Sequence, residues 1–229
     1  RSIVVTSSFA GEGKSTTTAN LASTLAAGGL RVCAIEGDLR RPKMLEYMGL
    51  EGGVGLTDVL IGRAALDDFL QPFGSATMRV LGAGSPPPNP SELLGSPLME
   101  KTLRDLEERF DIVIIDAPPL LPVTDAAVLS TRCSGTILVV GSGVVDKGAV
   151  EVALEKLETV NANVLGVVLN RLPMSSGKYG YGSAYYYTPQ TEEPTLSWVS
   201  PRNKKHKSAS TRSSRREGGR SGRRRSASK

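Results

Sequence analysis

The chain has 229 residues, of which 39% are hydrophobic, and it carries 28 Lys and Arg against 23 Asp and Glu, a net charge of +5. That length and apolar content suit one α/β domain with a tail and exclude a fully disordered chain. The positive charge taken alone points to a nucleic-acid partner, but it is not spread along the chain. Residues 200–229 hold twelve Lys and Arg with one acid, Glu217, whereas residues 1–199 hold sixteen Lys and Arg against twenty-two acids. The body is therefore acidic, at −6, and a 30-residue tail carries +11.

The only histidine, His206, lies in that tail, so Ser-His-Asp or Cys-His chemistry and His-ligated metals are excluded from the body. The two cysteines, Cys33 and Cys133, are too few for a disulfide framework and point to a reducing compartment. No apolar run approaches the ~18–20 residues of a membrane span, and no signal peptide is visible. The chain enters a strand directly after Arg1, which reads as a fragment with its upstream part removed.

In chain order, Ser2–Ser7 reads as a buried strand, followed by a helix from Glu12–Lys14 to about Ala27, stopped by Gly28 and Gly29. Arg31–Glu36 is a second strand. Short helices are expected near Pro42–Met48, Leu56–Ile61 and Leu66–Gln71, then a strand at Arg79–Leu81. Ser85–Pro90 (SPPPNP) excludes helix and inner strand, because proline lacks a donor and fixes the backbone. Ser91 is expected to cap a helix to about Phe110, with Met99, Leu103, Leu106 and Phe110 on its buried face. Asp111–Asp116, Thr136–Val140 and Val164–Leu169 are apolar on both faces, as in central strands of a covered parallel sheet, and a helix near Lys147–Val160 separates the last two. The alternation defines an α/β, doubly wound, mostly parallel sheet with helices on both faces, binding ligands at the carboxyl ends of its strands.

Ser8–Ser15 (SFAGEGKS) lies between the first strand and helix and approximates G-x-x-x-x-G-K-[ST], with Ser8 in place of the first glycine. Small residues let the backbone N–H groups of Ala10, Gly11, Glu12, Gly13, Lys14, Ser15 and Thr16 curl around phosphate oxygens, assisted by the helix N-terminus. Lys14 reaches the β/γ-phosphates and the Ser15 hydroxyl ligates Mg²⁺. Asp116 ends a strongly apolar strand in the Walker B position of a P-loop NTPase, where the carboxylate holds magnesium. Glu36 and Asp38 end the second strand two residues apart, and both are expected to aim at the magnesium and γ-phosphate.

Together, VVTSSFAGEGKSTTTANLA, AIEGDLRRP, PPPNPSELL and FDIVIIDAPPLLPVTDA, with GVVLNRL and a C-terminal tyrosine cluster, resemble the bacterial tyrosine kinases of capsule and exopolysaccharide synthesis. The resemblance spans about residues 2–190. It implies a P-loop fold related to the partition and septum-site ATPases, and transfer of the ATP γ-phosphoryl to tyrosines on a neighbouring copy. It implies ATP and Mg²⁺ as cofactors, with Lys14, Glu36, Asp38 and Asp116 catalytic and Ser15, Glu36, Asp38 and Asp116 at the metal. Asn170 falls where relatives contact adenine, and Arg40 matches an arginine of the second Walker motif. The family usually has Asp where Glu36 stands, which places more weight on Asp38 for orienting or deprotonating the acceptor. The alternative is a nucleotide-gated ATPase or scaffold of partition type without kinase activity. Its signature lysine would stand at Phe9, which argues against it.

The phosphoacceptors implied are Tyr179, Tyr181, Tyr185, Tyr186 and Tyr187, five of the six tyrosines. The expected organisation is a nucleotide-binding kinase domain at residues 1–175, a flexible acceptor segment at 176–199 and a disordered basic tail at 200–229. The tail lacks the aromatics that stack on bases, which disfavours nucleic acid and leaves a solubility role or contact with anionic lipid. The expected setting is the cytoplasmic face of the membrane. The expected partners are further copies of the chain and a membrane chain-length or activator domain, fused or separate.

Overall fold

The computed structural model describes residues 1–173, so the expected boundary at residue 175, the acceptor tyrosines and the basic tail lie outside the described residues. Among the described residues seven strands form one sheet in the order β3-β4-β2-β5-β1-β6-β7. They are β1 (Ser2–Ser7), β2 (Val32–Glu36), β3 (Leu70–Phe73), β4 (Ser75–Leu81), β5 (Ile112–Asp116), β6 (Gly135–Gly141) and β7 (Val164–Asn170). All pair in parallel except β3, which runs antiparallel to β4 at the edge. The helices are α1 (Lys14–Ala27), α2 (Met44–Met48), α3 (Leu56–Leu60), α4 (Pro90–Leu94), α5 (Pro97–Arg109), α6 (Asp125–Ser130) and α7 (Lys147–Thr159).

The sheet is covered on both sides, as the all-apolar strands require. On one face α1 lays Ala19, Ala22 and Ala26 beside Val5, Val32, Ala34 and Ile114. Small side chains let this helix approach the sheet closely. On the other face Met99, Leu103 and Leu106 of α5, Leu129 of α6 and Leu157 of α7 pack on Val4, Ile35, Val113 and Ile115. Register brings the strand ends level: Val5 pairs with Asp116, and Asp116 with Glu36. The loops after β1, β2 and β5 therefore share one edge of the sheet.

Several local expectations change. The helix over Ser91–Phe110 is two helices, α4 and α5, separated at Gly95–Ser96. Ser96, not Ser91, caps α5, its Oγ accepting the Met99 N–H at 3.2 Å. Ser91 is free for another role because the α4 turn already starts at Pro90, a favoured first-turn residue. The segment near Leu66–Gln71 is a 3₁₀ turn (Leu66–Phe69) leading into β3, whose Pro72 is tolerated because β3 is an edge strand. The strand expected at Arg79–Leu81 begins at Ser75, and α6 forms a further helix between β5 and β6. Finally, β7 is an edge strand rather than a central one, and Leu165, Val167 and Leu169 remain about half exposed. An apolar run marks a strand without fixing its place in the sheet.

Candidate active site

The phosphate loop is built by glycine geometry. Gly13 takes φ 95° at the start of α1, and a Cβ there would overlap the Asn170 side-chain amide. Glycine alone satisfies both the left-handed backbone and the close approach. The loop is fastened by Glu12, which is fully buried. Its Oε1 accepts the Phe9 N–H at 2.7 Å and its Oε2 accepts the Gly141 N–H at 2.9 Å. Asn170, at the end of β7, donates from Nδ2 to the Glu12 carbonyl at 2.9 Å. Loop, β6 and β7 are thus one hydrogen-bonded unit.

Lys14 is the centre of charge. Its Nζ lies 3.2 Å from Asp38 Oδ2, 3.6 Å from Asp116 Oδ1 and 3.4 Å from Ser15 Oγ. Asp38 also accepts the Arg41 N–H at 3.0 Å, which orients its carboxylate. Asp116 is fully buried, and neither carboxylate oxygen has a hydrogen-bond partner among the described residues. Burial pushes its carboxyl up to about 6, against the pull of the Lys14 charge. A buried carboxylate with two unsatisfied oxygens beside a serine hydroxyl and a second carboxylate is a donor set suited to Mg²⁺, a hard cation that takes oxygen ligands. Ser15, Asp38 and Asp116 therefore fit the metal that the phosphate loop implies.

Glu36 is placed differently from expectation. Its Oε1 accepts the Met44 N–H at 2.6 Å and the Leu45 N–H at 3.4 Å, and its Oε2 accepts the Ala83 N–H at 3.4 Å. The carboxylate is spent on the N-terminus of α2. Desolvation raises its pKa, opposed by these backbone donors. Asp38 faces Lys14, whereas both Glu36 oxygens accept backbone N–H groups, although the charges of both carboxylates act on Asp116. The extra methylene of Glu extends its carboxylate towards backbone donors eight residues on.

A cavity of about 510 Å³ opens over the phosphate loop. Ala10, Gly11, Gly13, Lys14, Ser15 and Thr16 line its floor. Asp38, Arg40, Arg41, Lys43 and Tyr47 line the side that follows β2. Pro118, Pro119, Pro122 and Val123 continue it beyond β5, and Arg171 closes the β7 side. Arg171 holds φ 58°, a left-handed conformation uncommon outside glycine.

Sequence reasoning missed the support behind Arg40. Its Nε donates to Asp125 Oδ2 at 2.7 Å and its Nη2 to Asp125 Oδ1 at 3.0 Å, and Ser91 Oγ also donates to Asp125 Oδ1. Asp125 lies 85 residues from Arg40 in sequence, and only the stacking of the β2 and β5 loops brings them together. Both Ser91 and Asp125 fall inside stretches that carry the family resemblance, which was the one available signal.

A mostly parallel sheet whose first strand leads through a glycine-shaped loop into a helix opening on Lys14 and Ser15, with Asp116 at a neighbouring strand end, is the arrangement of a P-loop NTPase. The ParA family, described as "NUBPL iron-transfer P-loop NTPase", matches residues 1–193. The tyrosine-protein kinase YwqD of Bacillus subtilis (strain 168) is 39% identical over 182 residues, covering 79% of this chain and 77% of the relative. The putative tyrosine-protein kinase EpsB of Ralstonia solanacearum is 34% identical over 183 residues, and there the match covers 80% of this chain but 24% of the longer protein. Among solved structures, the kinase domain of the Escherichia coli tyrosine kinase ETK superposes with a TM-score of 0.70 at 31% identity, covering 79% of this chain and 72% of that one. This chain belongs to the ParA-type P-loop NTPases and, within them, to the bacterial tyrosine kinase family.

Proposed function

We propose that the chain is an ATP- and Mg²⁺-dependent protein-tyrosine autokinase, phosphorylating Tyr179, Tyr181, Tyr185, Tyr186 and Tyr187 of a neighbouring copy and so regulating polysaccharide polymerisation or export. The observation that carries this reading is Lys14 joining Asp38 and the buried Asp116 at the mouth of the phosphate loop. The names of YwqD, EpsB and ETK support tyrosine as the acceptor.

In this reading the N–H groups of Gly11–Ser15 cradle the β-phosphate, and Lys14 places its ammonium against the β/γ oxygens. Bound Mg²⁺ would neutralise charge on the same oxygens, held by Ser15, Asp38 and Asp116. Arg171 lines the cavity on the opposite flank, where the nucleoside belongs, while the amide of the neighbouring Asn170 donates to the Glu12 carbonyl. Asp38 accepts a hydrogen bond from the incoming phenol, whose pKa of about 10 leaves it protonated at neutral pH. The phenolic oxygen bonds to the γ-phosphorus as the bond to the β–γ bridging oxygen breaks. ADP leaves, and the phenolic proton passes to the Asp38 carboxylate. Positioning and charge stabilisation carry most of the rate.

Each phosphate adds about −1.5 to −2 charges to a segment beside an acidic body, which favours dispersal of an oligomer. A membrane chain-length or activator protein, the cytoplasmic face of the membrane, and lipid contact by the basic tail belong to this reading. Among the described residues no helix is long and apolar enough to cross a membrane. A second reading, an ATPase or scaffold without kinase activity, is favoured by one observation: the Glu36 carboxylate is committed to α2. Incubation with ATP and Mg²⁺ followed by phosphotyrosine mass spectrometry separates the two, since the second predicts bound nucleotide with unmodified tyrosines.

A further inference from the structure

Asp116 is aimed without a hydrogen bond of its own. Both of its carboxylate oxygens are buried and unpartnered among the described residues, and Lys14 Nζ lies 3.6 Å from Oδ1, outside hydrogen-bond distance. The direction of such a side chain is set by the backbone on either side of it. Upstream, Asp116 is held by the pairing of β5 with β1 and β2. Downstream comes the turn of residues 117–123, which includes Pro118, Pro119 and Pro122. Proline has no N–H, so this turn has few donors with which to close on itself. It is fastened from outside instead.

Leu120 and Leu121 carry most of that fastening. Their N–H groups donate to the carbonyls of Ser7 at 2.8 Å and Ser8 at 3.2 Å, where β1 enters the phosphate loop. Thr6 Oγ1 donates to the Pro118 carbonyl at 2.7 Å. The carbonyls of Leu120 and Leu121 accept from a single group, Lys156 Nζ of α7, at 3.2 Å each. Leu120 is completely buried and Lys156 is half-buried, so water is a poor substitute for the ammonium there. Among the described residues Lys156 pairs with no carboxylate, whereas Lys147 on the same helix pairs with Glu151. Lys156 also stands in the last turn of α7, where a cation suits the helix dipole. A lysine in open solvent meets that need equally well, and it does not call for two main-chain acceptors on another element.

We propose that Lys156 is a positioning residue for the magnesium site: by holding the Leu120 and Leu121 carbonyls it fixes the turn that aims Asp116. It acts through the backbone, since its partners stand four and five residues beyond the carboxylate. Groups that orient a metal's ligands commonly change its affinity tenfold or more when removed. The inference rests on the reading of Asp116 as a magnesium-holding group and not on tyrosine as the acceptor.

The test titrates the full chain with a fluorescent ADP analogue, in EDTA and over a range of Mg²⁺ concentrations. Lys156→Met is expected to raise the Mg²⁺ concentration needed for half of the magnesium-dependent gain in affinity about tenfold, and to leave the affinity in EDTA within about twofold. Lys156→Arg, which keeps a cationic donor, is expected to restore most of the loss. Lys147→Met removes a charge from the same helix without touching the turn and is expected to shift neither value. If Lys156→Met fails to fold, Lys156→Gln is expected to shift the magnesium requirement in the same direction by less. An unchanged magnesium requirement overturns the proposal. Equal losses with and without Mg²⁺ also overturn it, because they mark a general staple of α7 to the turn. A wild-type chain that binds the analogue equally with and without Mg²⁺ overturns the metal reading of Asp116 and the role of Lys156 with it. The expected shifts in a chain that never phosphorylates tyrosine contradict the kinase reading and leave Lys156 as proposed.

Discussion

The Glu36 carboxylate accepts the Met44 backbone N–H at 2.6 Å, tying the end of β2 to the first residue of α2. An acidic group at this position of the family's motif is thereby turned into a helix cap. Glu36→Asp shortens the side chain by one methylene, so one carboxylate cannot reach Met44 and remains nearer Asp38 and Asp116. The expected result is a loss of about 1 kcal/mol in stability, typical of a lost cap, and a rise in Mg²⁺-dependent phosphoryl transfer. Denaturant unfolding and phosphotyrosine formation measure the two effects separately.

Asp116 gives stability a pH dependence of known sign. Its carboxyl is raised from an ordinary 3.8 to about 6 by burial. Between those values the folded protein binds a proton that the unfolded chain has released. The contribution favours folding below about pH 4 and is lost as pH rises through about 6, amounting to about 3 kcal/mol. Asp116→Asn is therefore expected to stabilise the nucleotide-free protein at pH 8, with little effect at pH 4, while abolishing Mg²⁺-dependent nucleotide binding. Urea unfolding at pH 4, 6 and 8 checks the slope.

Glu12 satisfies two backbone donors at once, Phe9 at 2.7 Å and Gly141 at 2.9 Å. Glu12→Gln keeps the shape but replaces one acceptor oxygen by an NH₂ group. One buried N–H then loses its partner, at a cost of about 1–3 kcal/mol. Nucleotide affinity is expected to fall with thermal stability, because the donors that cradle phosphate belong to the same loop. Melting temperature and nucleotide titration on one preparation test this.

Gly13→Ala is expected to fail more completely. It adds a Cβ to a residue at φ 95° and drives it into Asn170. The backbone strain costs about 1–2 kcal/mol, and the clash displaces the hydrogen bond from Asn170 to Glu12. Loss of nucleotide binding with a folded circular-dichroism spectrum is the expected outcome.

The phosphate loop, Lys14, Ser15 and Asp116 were legible in sequence because their spacing is local: strand, loop and helix stand together. The central strands were legible for the same reason, each being a short apolar run bounded by polar residues. The place of β7 was not, since an apolar strand at an edge and one at the centre read alike. The backbone donors that Glu36 accepts are not legible in the sequence, because strand alternation gives the direction of a side chain and not the partner its extra methylene reaches. The pairing of Ser91 and Asp125 with Arg40 is not encoded in any local pattern, although both residues fall in the stretches that carry the resemblance: it depends on the register of β2 beside β5.

In the kinase reading Lys14, Asp38 and Asp116 carry γ-phosphoryl transfer to the chain's own tyrosines. The most direct measurement is phosphotyrosine stoichiometry by mass spectrometry after incubation with ATP and Mg²⁺, comparing wild type with Lys14→Met and supplying an activator in parallel. The expected result is phosphate on the Tyr179–Tyr187 cluster in wild type, reduced about 100-fold or more in Lys14→Met. Nucleotide bound by wild type with every tyrosine unmodified, activator present, would contradict the account.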